Sequence, residues 1–181
     1  MKTTNLNIAK FVAVTVSVLL LSAFTVNNSI NWKITDGYSV KFAGTDAEGI
    51  FSKLKGDIQF NSDNPASSSF SFTLDVNSIN TGNGMKNKHA LSDKWFDAET
   101  YPNITFKSKS VSQNDANYMV TGTMNIHGTS KEMTIPFSFD GKAFYSKFSV
   151  NRMDFGVGTM KGMSKKVSNE IKLDVTIPVT K

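Results

Sequence analysis

Eight stretches of the chain alternate apolar and polar residues with period two: 38–42, 54–60, 69–76, 104–109, 118–127, 131–139, 144–150 and 171–179. In the third, Phe70, Phe72, Leu74 and Val76 alternate with Ser69, Ser71, Thr73 and Asp75. In the last, Ile171, Leu173, Val175, Ile177 and Val179 alternate with Lys172, Asp174, Thr176 and Pro178. Successive side chains of an extended strand point to opposite faces, so each stretch is predicted to be a strand with one buried and one wet face. No helical periodicity runs far enough to compete. Turn formers at 61–65, 114–117, 127–130 and 140–141 separate the stretches, and connections this short join antiparallel neighbours.

Such strands close either as a two-sheet sandwich or as an up-and-down barrel. The chain holds 14 phenylalanines, most of them on the inward rows. In a sandwich they are plain core; in a barrel they can surround a space large enough for one ligand. Two stretches lack the alternation. Residues 77–103 are polar and contain a short helix near 85–91; a loop this long in a compact all-β domain usually has a function. Residues 156–169 are rich in glycine, lysine and methionine, including Met160, Lys161, Met163, Lys165 and Lys166.

The N-terminus is different in kind. Lys2 and Lys10 precede 16 uncharged residues, 11–26. That is short for a membrane span, which needs about 20 residues, and fits the apolar part of an export signal. Residues 1–26 are therefore read as a removable signal, an uncleaved anchor being the alternative, and 30–181 as one domain. Loss of the signal removes two lysines and no acid, taking the formal net charge from +5 to +3. The remaining charge is modest and dispersed, which argues against nucleic acid as a partner. With no cysteine, disulfides, thiol catalysis, cysteine-bound metal and lipoprotein acylation are all excluded.

Residues 89–106 gather His89, Asp93, Asp97, Glu99, Trp95, Phe96 and Tyr101. His89 and Asp93 share i, i+4 spacing, but two ligands fall short of a zinc cage. Asp97 and Glu99 as a glycosidase pair rest on composition alone, and no G-x-S-x-G elbow supports a serine hydrolase. The stretch reads better as a cover in which rings fold over a barrel end and Asp93 and Asp97 cap backbone amides. His127, in HGT at 127–129, reads as turn chemistry. Arg152 and Asp154 continue the inward row of Phe144, Phe148 and Val150, where they would pair with each other or meet a ligand head group.

Trp32, YSVKF at 38–42, GIFSKLKGDIQF at 49–60, SINTGN at 78–83, KHALSDKWFDAETYPNITFKS at 88–108, GTMNIHGTSKEMTIPF at 122–137 and NRMDFGVG at 151–158 stand in an order and spacing that resemble the YceI-like family of exported bacterial proteins. The resemblance implies an all-β, antiparallel, lipocalin-like barrel of about eight strands, with a short helix in the long middle loop. It also implies binding of a polyisoprenoid or other long-chain amphiphile in a hydrophobic interior, in the periplasm or outside the cell, without catalysis and without a metal or cofactor. Alternation and resemblance together select Val40, Phe42, Phe60, Phe72, Phe96, Phe106, Met124, Phe137, Phe148 and Arg152 as the ligand-binding set. Lys88 departs from the family, which often has an acid just before the loop histidine, and this bears on head-group preference. Met160, Met163 and the lysines of 156–169 suit a transient contact with a membrane surface. The oligomeric state stays open, a dimer included. A solid sandwich with a structural or stress role is the other reading, and a hydrolase a third.

Overall fold

The computed structural model describes residues 29–181 except Ala116 and Lys161, with the side chains of Met163 and Ser164 also left aside. The segment read as an export signal lies outside the described residues. Eleven strands are β1 (Ile30–Ile34), β2 (Ser39–Gly44), β3 (Ala47–Phe51), β4 (Leu54–Phe60), β5 (Ser69–Asp75), β6 (Ile79–Asn80), β7 (Asn103–Asn114), β8 (Asn117–Ile126), β9 (Thr129–Phe139), β10 (Ala143–Asn151) and β11 (Glu170–Thr180), with one helix, α1 (Gly84–Leu91). All pairings are antiparallel, and β1–β11 closes the ring through Lys33↔Thr180 and Ile34↔Val179.

The eleven strands reduce to eight staves. β1 and β2 lie end to end along β11, which pairs first with one and then with the other. β3 and β4 form a second bent stave, pairing with β2 and β1 respectively. β5 and β6 form a third, facing β4 and β3. With β7 to β11 this is a closed up-and-down barrel, not a two-sheet sandwich. The eight stretches of alternation each fall on a stave. Three short pieces escaped: β3 carries Ala47, Gly49 and Phe51 inward, too small a row to register, and β1 and β6 have five and two residues.

The bends of these three staves are fastened to one another. Ser78, buried in the β5–β6 bend, accepts hydrogen bonds at Oγ from Ser52 and Lys53 N–H in the β3–β4 bend, both 3.1 Å, and donates to Asp75 O at 2.6 Å. Tyr38 Oη, in the β1–β2 bend, donates to Ser52 O at 2.9 Å and accepts from Leu54 N–H at 3.2 Å. Peptide groups that leave the ladder at a bend still need partners, and two hydroxyls supply them.

The β7 strand runs five residues beyond its alternation. A bulge between Ser108 and Ser110 shifts the register, so the inward row passes from Phe106 to Val111 and the period breaks. Ser108 Oγ accepts from Phe70 N–H at 2.8 Å, using a donor on the neighbouring strand. The seam between β9 and β10 is thin: the ladder consists of Phe144↔Phe139 and Tyr145↔Ser138, beyond which Ser146 Oγ donates to Pro136 O at 2.6 Å. Proline has no N–H to extend a ladder.

One end of the barrel is solid. Phe60, 1% exposed, has the rings of Phe70, Tyr118, Phe137, Phe139 and Phe144 around it at 5.1–6.0 Å, mostly edge to face. Trp32 packs on Phe139 and donates Nε1–H to Phe60 O at 3.0 Å. Such rings bury large apolar area and satisfy their quadrupoles.

Replacing Ser78 by alanine strands the Lys53 N–H at the linked bends. The expected loss is about 1–3 kcal/mol, read as a lower urea midpoint at unchanged slope.

Candidate functional site

The other end is hollow. A cavity of about 730 Å³ fills the barrel from the aromatic floor to the β2–β3 turn and α1. That lies within the range of ~300–1,000 Å³ typical of small-molecule sites. Of the residues selected from the sequence, Val40, Phe42, Phe72, Phe106, Met124, Phe137 and Phe148 stand on its wall, with Phe96 and Arg152 at the cover. Phe60 does not reach it. That expectation is corrected: its inward position is genuine, but it falls at the end where rings meet across the axis and leave no space. Inward residues at the hollow end that alternation indicated without singling them out include Leu173 and Val175. Phe51 and Ile79 were missed because β3 and β6 were.

Glycines on neighbouring strands keep the wall rings back. Gly56 pairs with Phe72, and a Cβ at Gly56 would fall 2.5 Å from Phe72 Cδ1. A Cβ at Gly122 would fall 2.6 Å from Phe106 Cζ. Each ring thus lies flat over a glycine on the adjacent strand instead of standing into the lumen, the arrangement by which aromatics cover glycines in sheets. Gly49 stands opposite Phe42 in the same way.

Two segments cover the hollow end. The first is α1 and the loop after it. Asn83 caps the helix, its Oδ1 accepting from Met85 and Lys86 N–H at 3.0 and 3.1 Å. Asn87 Oδ1 accepts from Thr81 N–H and Oγ1–H at 2.9 and 2.7 Å, tying the helix to β6. Beyond it, Phe96 N–H donates to Ala90 O and Ala98 N–H to Leu91 O, both 3.0 Å, which turns Phe96 down onto Phe51 at 6.1 Å. The expectation that rings of 89–106 fold over the barrel fits Trp95 and Phe96; Tyr101 instead packs outside on His127 at 4.9 Å. Asp93 and Asp97 do not cap amides through their carboxylates among the described residues. His127 and Gly128 form a two-residue turn with φ of 51° and 74°, the hairpin geometry of positive φ at both positions.

The second segment is 152–169, and Arg152 organises it. The residue is 7% exposed. Its guanidinium donates to the carbonyls of Val157 (2.8 Å), Gly158 (2.7 Å), Ser168 (3.1 Å) and Val167 (3.1 Å) and to Asn169 Oδ1 (3.1 Å). The Trp95 ring of the first segment lies over it, 5.4 Å from centroid to Cζ, and also rests on Gly158. Burial lowers the Arg152 pKa, yet a guanidinium stays charged in proteins. The expected Arg152–Asp154 pair is corrected: after Asn151 the chain enters a 3₁₀ turn, Arg152–Phe155, which turns Asp154 out to solvent. A planar fork with five donors suits five oxygens converging from a loop better than one carboxylate.

The rim is cationic. Lys86, Lys94, Arg152 and Lys166 reach the cavity against Asp46 alone, with His89 beside them. Lys88 is exposed and does not reach the cavity. Among the described residues no group of three or more His, Asp or Glu converges in a way that could hold a metal ion.

A closed antiparallel barrel with an apolar lumen and a covered mouth defines the lipocalin-like class of hollow barrels. Within that class, the chain belongs to the YceI-like domain family, whose model matches residues 21–179. A UPF0312 protein of Vibrio parahaemolyticus is 30% identical over 158 residues, covering 81% of this chain and 80% of the relative. The crystal structure of Burkholderia cenocepacia BcnA superposes with a TM-score of 0.77 at 27% identity, over 82% of this chain and all of that one (100%). A polyisoprenoid binding domain from Saccharophagus degradans shares the fold at 13% identity and a TM-score of 0.59, over 82% of this chain and 96% of its own.

Arg152→Lys is expected to leave several of these oxygens without a donor and lower stability by about 1–3 kcal/mol. In a Trp32→Phe background the emission of Trp95 shifts to the red as the ring loses its seat. Gly122→Val is expected to push the Phe106 ring into the lumen and to press on the Lys107 carbonyl of the adjacent strand, lowering both uptake of a fluorescent long-chain probe and the urea midpoint.

Proposed function

We propose that this protein binds a long-chain apolar molecule in the hollow half of the barrel and carries or stores it without chemical change. The observation that carries the reading is the volume of apolar lumen above a solid floor. Each methylene moved from water into such a space contributes about 0.8 kcal/mol, so ten contribute about 8 kcal/mol before ordering costs. That is the scale of micromolar binding. The tail lies along Phe72, Phe106 and Leu173, and the polar head stays at the rim beside Lys86, Lys94 and Lys166, where an anionic or hydrogen-bond-accepting group is matched. A polyisoprenoid is the favoured guest class, supported by the Saccharophagus degradans domain, whose described ligand is of that class and whose barrel is alike. The basic n-region and uncharged run of residues 1–26 support export to the periplasm or beyond.

Organic extraction of the purified protein followed by mass spectrometry tests the reading. A hydrocarbon-chain lipid is expected in the extract. Added isoprenoid alcohol at a hundred times its Kd is expected to stabilise by about 2.7 kcal/mol, raising Tm by about 5–10 °C. A repeatedly blank extract together with no thermal shift across long-chain amphiphiles overturns it.

A further inference from the structure

The charge at the mouth is set by which side chains reach the opening. Lys86, Lys94, Arg152 and Lys166 reach the cavity against Asp46 alone, while Asp93, Asp97, Glu99 and Asp154 of the same two cover segments do not reach it. Lys88 and Lys165 stand exposed beside them. Helix α1 has no buried residue at all. Lys86, His89 and Ala90 face the cavity, which by helical spacing turns Lys88 outward and sets Met85, four residues before His89, at the edge of that face. Met85 is 64% exposed, the most exposed large apolar side chain among the described residues, and Met153 on the second segment is 39% exposed. Cations thus outnumber acids at an apolar opening, with a flexible thioether exposed on the helix that covers it.

We infer that the mouth is a docking face for an anionic phospholipid bilayer. Lysines near such a surface are attracted by its negative potential, and methionine adapts to irregular apolar contacts. In that orientation α1 lies at the bilayer surface and the solid floor points away, so a guest passes between membrane and lumen without exposing its chain to water. The inference rests on the carrier reading for its purpose, but its readout needs no cargo.

Vesicles of phosphatidylcholine alone and of equal parts phosphatidylcholine and phosphatidylglycerol test it. The full-length mature chain is expected to float with the anionic vesicles, less so at high salt, and not with the neutral ones. Met85→Ser, Lys88→Gln and Lys165→Gln, none of which reaches the cavity, are expected together to weaken vesicle binding on the order of thirtyfold, about fivefold for each lysine. Lys41→Gln with Lys55→Gln on the wall serves as the control and is expected to change binding by less than one mouth lysine does. Orientation is read separately. Because the chain has no cysteine, a polarity-sensitive dye on Met85→Cys reports one end and the same dye on Asp63→Cys, in the β4–β5 turn, reports the other. A blue shift at residue 85 and none at 63 supports docking by the mouth. Equal response at both sites, equal binding to neutral vesicles, or no binding to anionic ones overturns it. Binding of an isoprenoid alcohol without vesicles is expected to persist in the Met85, Lys88 and Lys165 variants. Its absence in the unmutated chain counts against carriage and leaves the vesicle result to judge the docking face.

Discussion

An eight-stranded barrel is just wide enough for its inward side chains to fill it. Every feature of this molecule turns on how that constraint is met differently at its two ends. At the floor, Phe60 reaches the middle and rings from five other positions close on it. At the mouth, the same residue type lines the wall, but Gly56 and Gly122 let Phe72 and Phe106 lie flat. One chain therefore contains both a packed core, which supplies stability, and a space, which supplies a binding volume. The division resolves the choice between solid and hollow interiors: each is correct for half the barrel.

The cover is held by a different physics. Its two loop segments are seated by apolar side chains, Phe96 on one and Phe155 and Val157 on the other, and fixed to each other by polar contacts. Arg152 does this by gathering oxygens from Val157 to Asn169 and presenting its face to Trp95. The cation is stabilised without a carboxylate because several carbonyl dipoles converge on it. The contact between the two segments thus rests on one side chain from each, Arg152 and Trp95.

The sequence makes the staves legible because alternation is a local property. Each of the long strands announces itself through its own residues, whereas the helix near 85–91 has no buried stripe to mark it and is expected only as a short element in the polar middle loop. What hides from it is non-local. The bulge at Ser108 breaks the period for a reason that lies on the neighbouring strand, where Phe70 N–H finds the serine hydroxyl. Phe60 and Phe72 carry the same signal in sequence, yet one fills the floor and the other lines the lumen, because position along the barrel axis is set by register. Arg152 was recognisable as a buried charge, but most of its oxygen partners are main-chain carbonyls, which every residue possesses and no sequence pattern marks.

The thin seam between β9 and β10 has a mechanical consequence. The paired residues lie at the floor, where the rings of Phe139 and Phe144 stack at 4.4 Å, and the ladder stops where Ser146 and Phe148 reach the lumen. A load that widens the girth therefore meets main-chain bonds at the packed end and side-chain contacts beside the cavity.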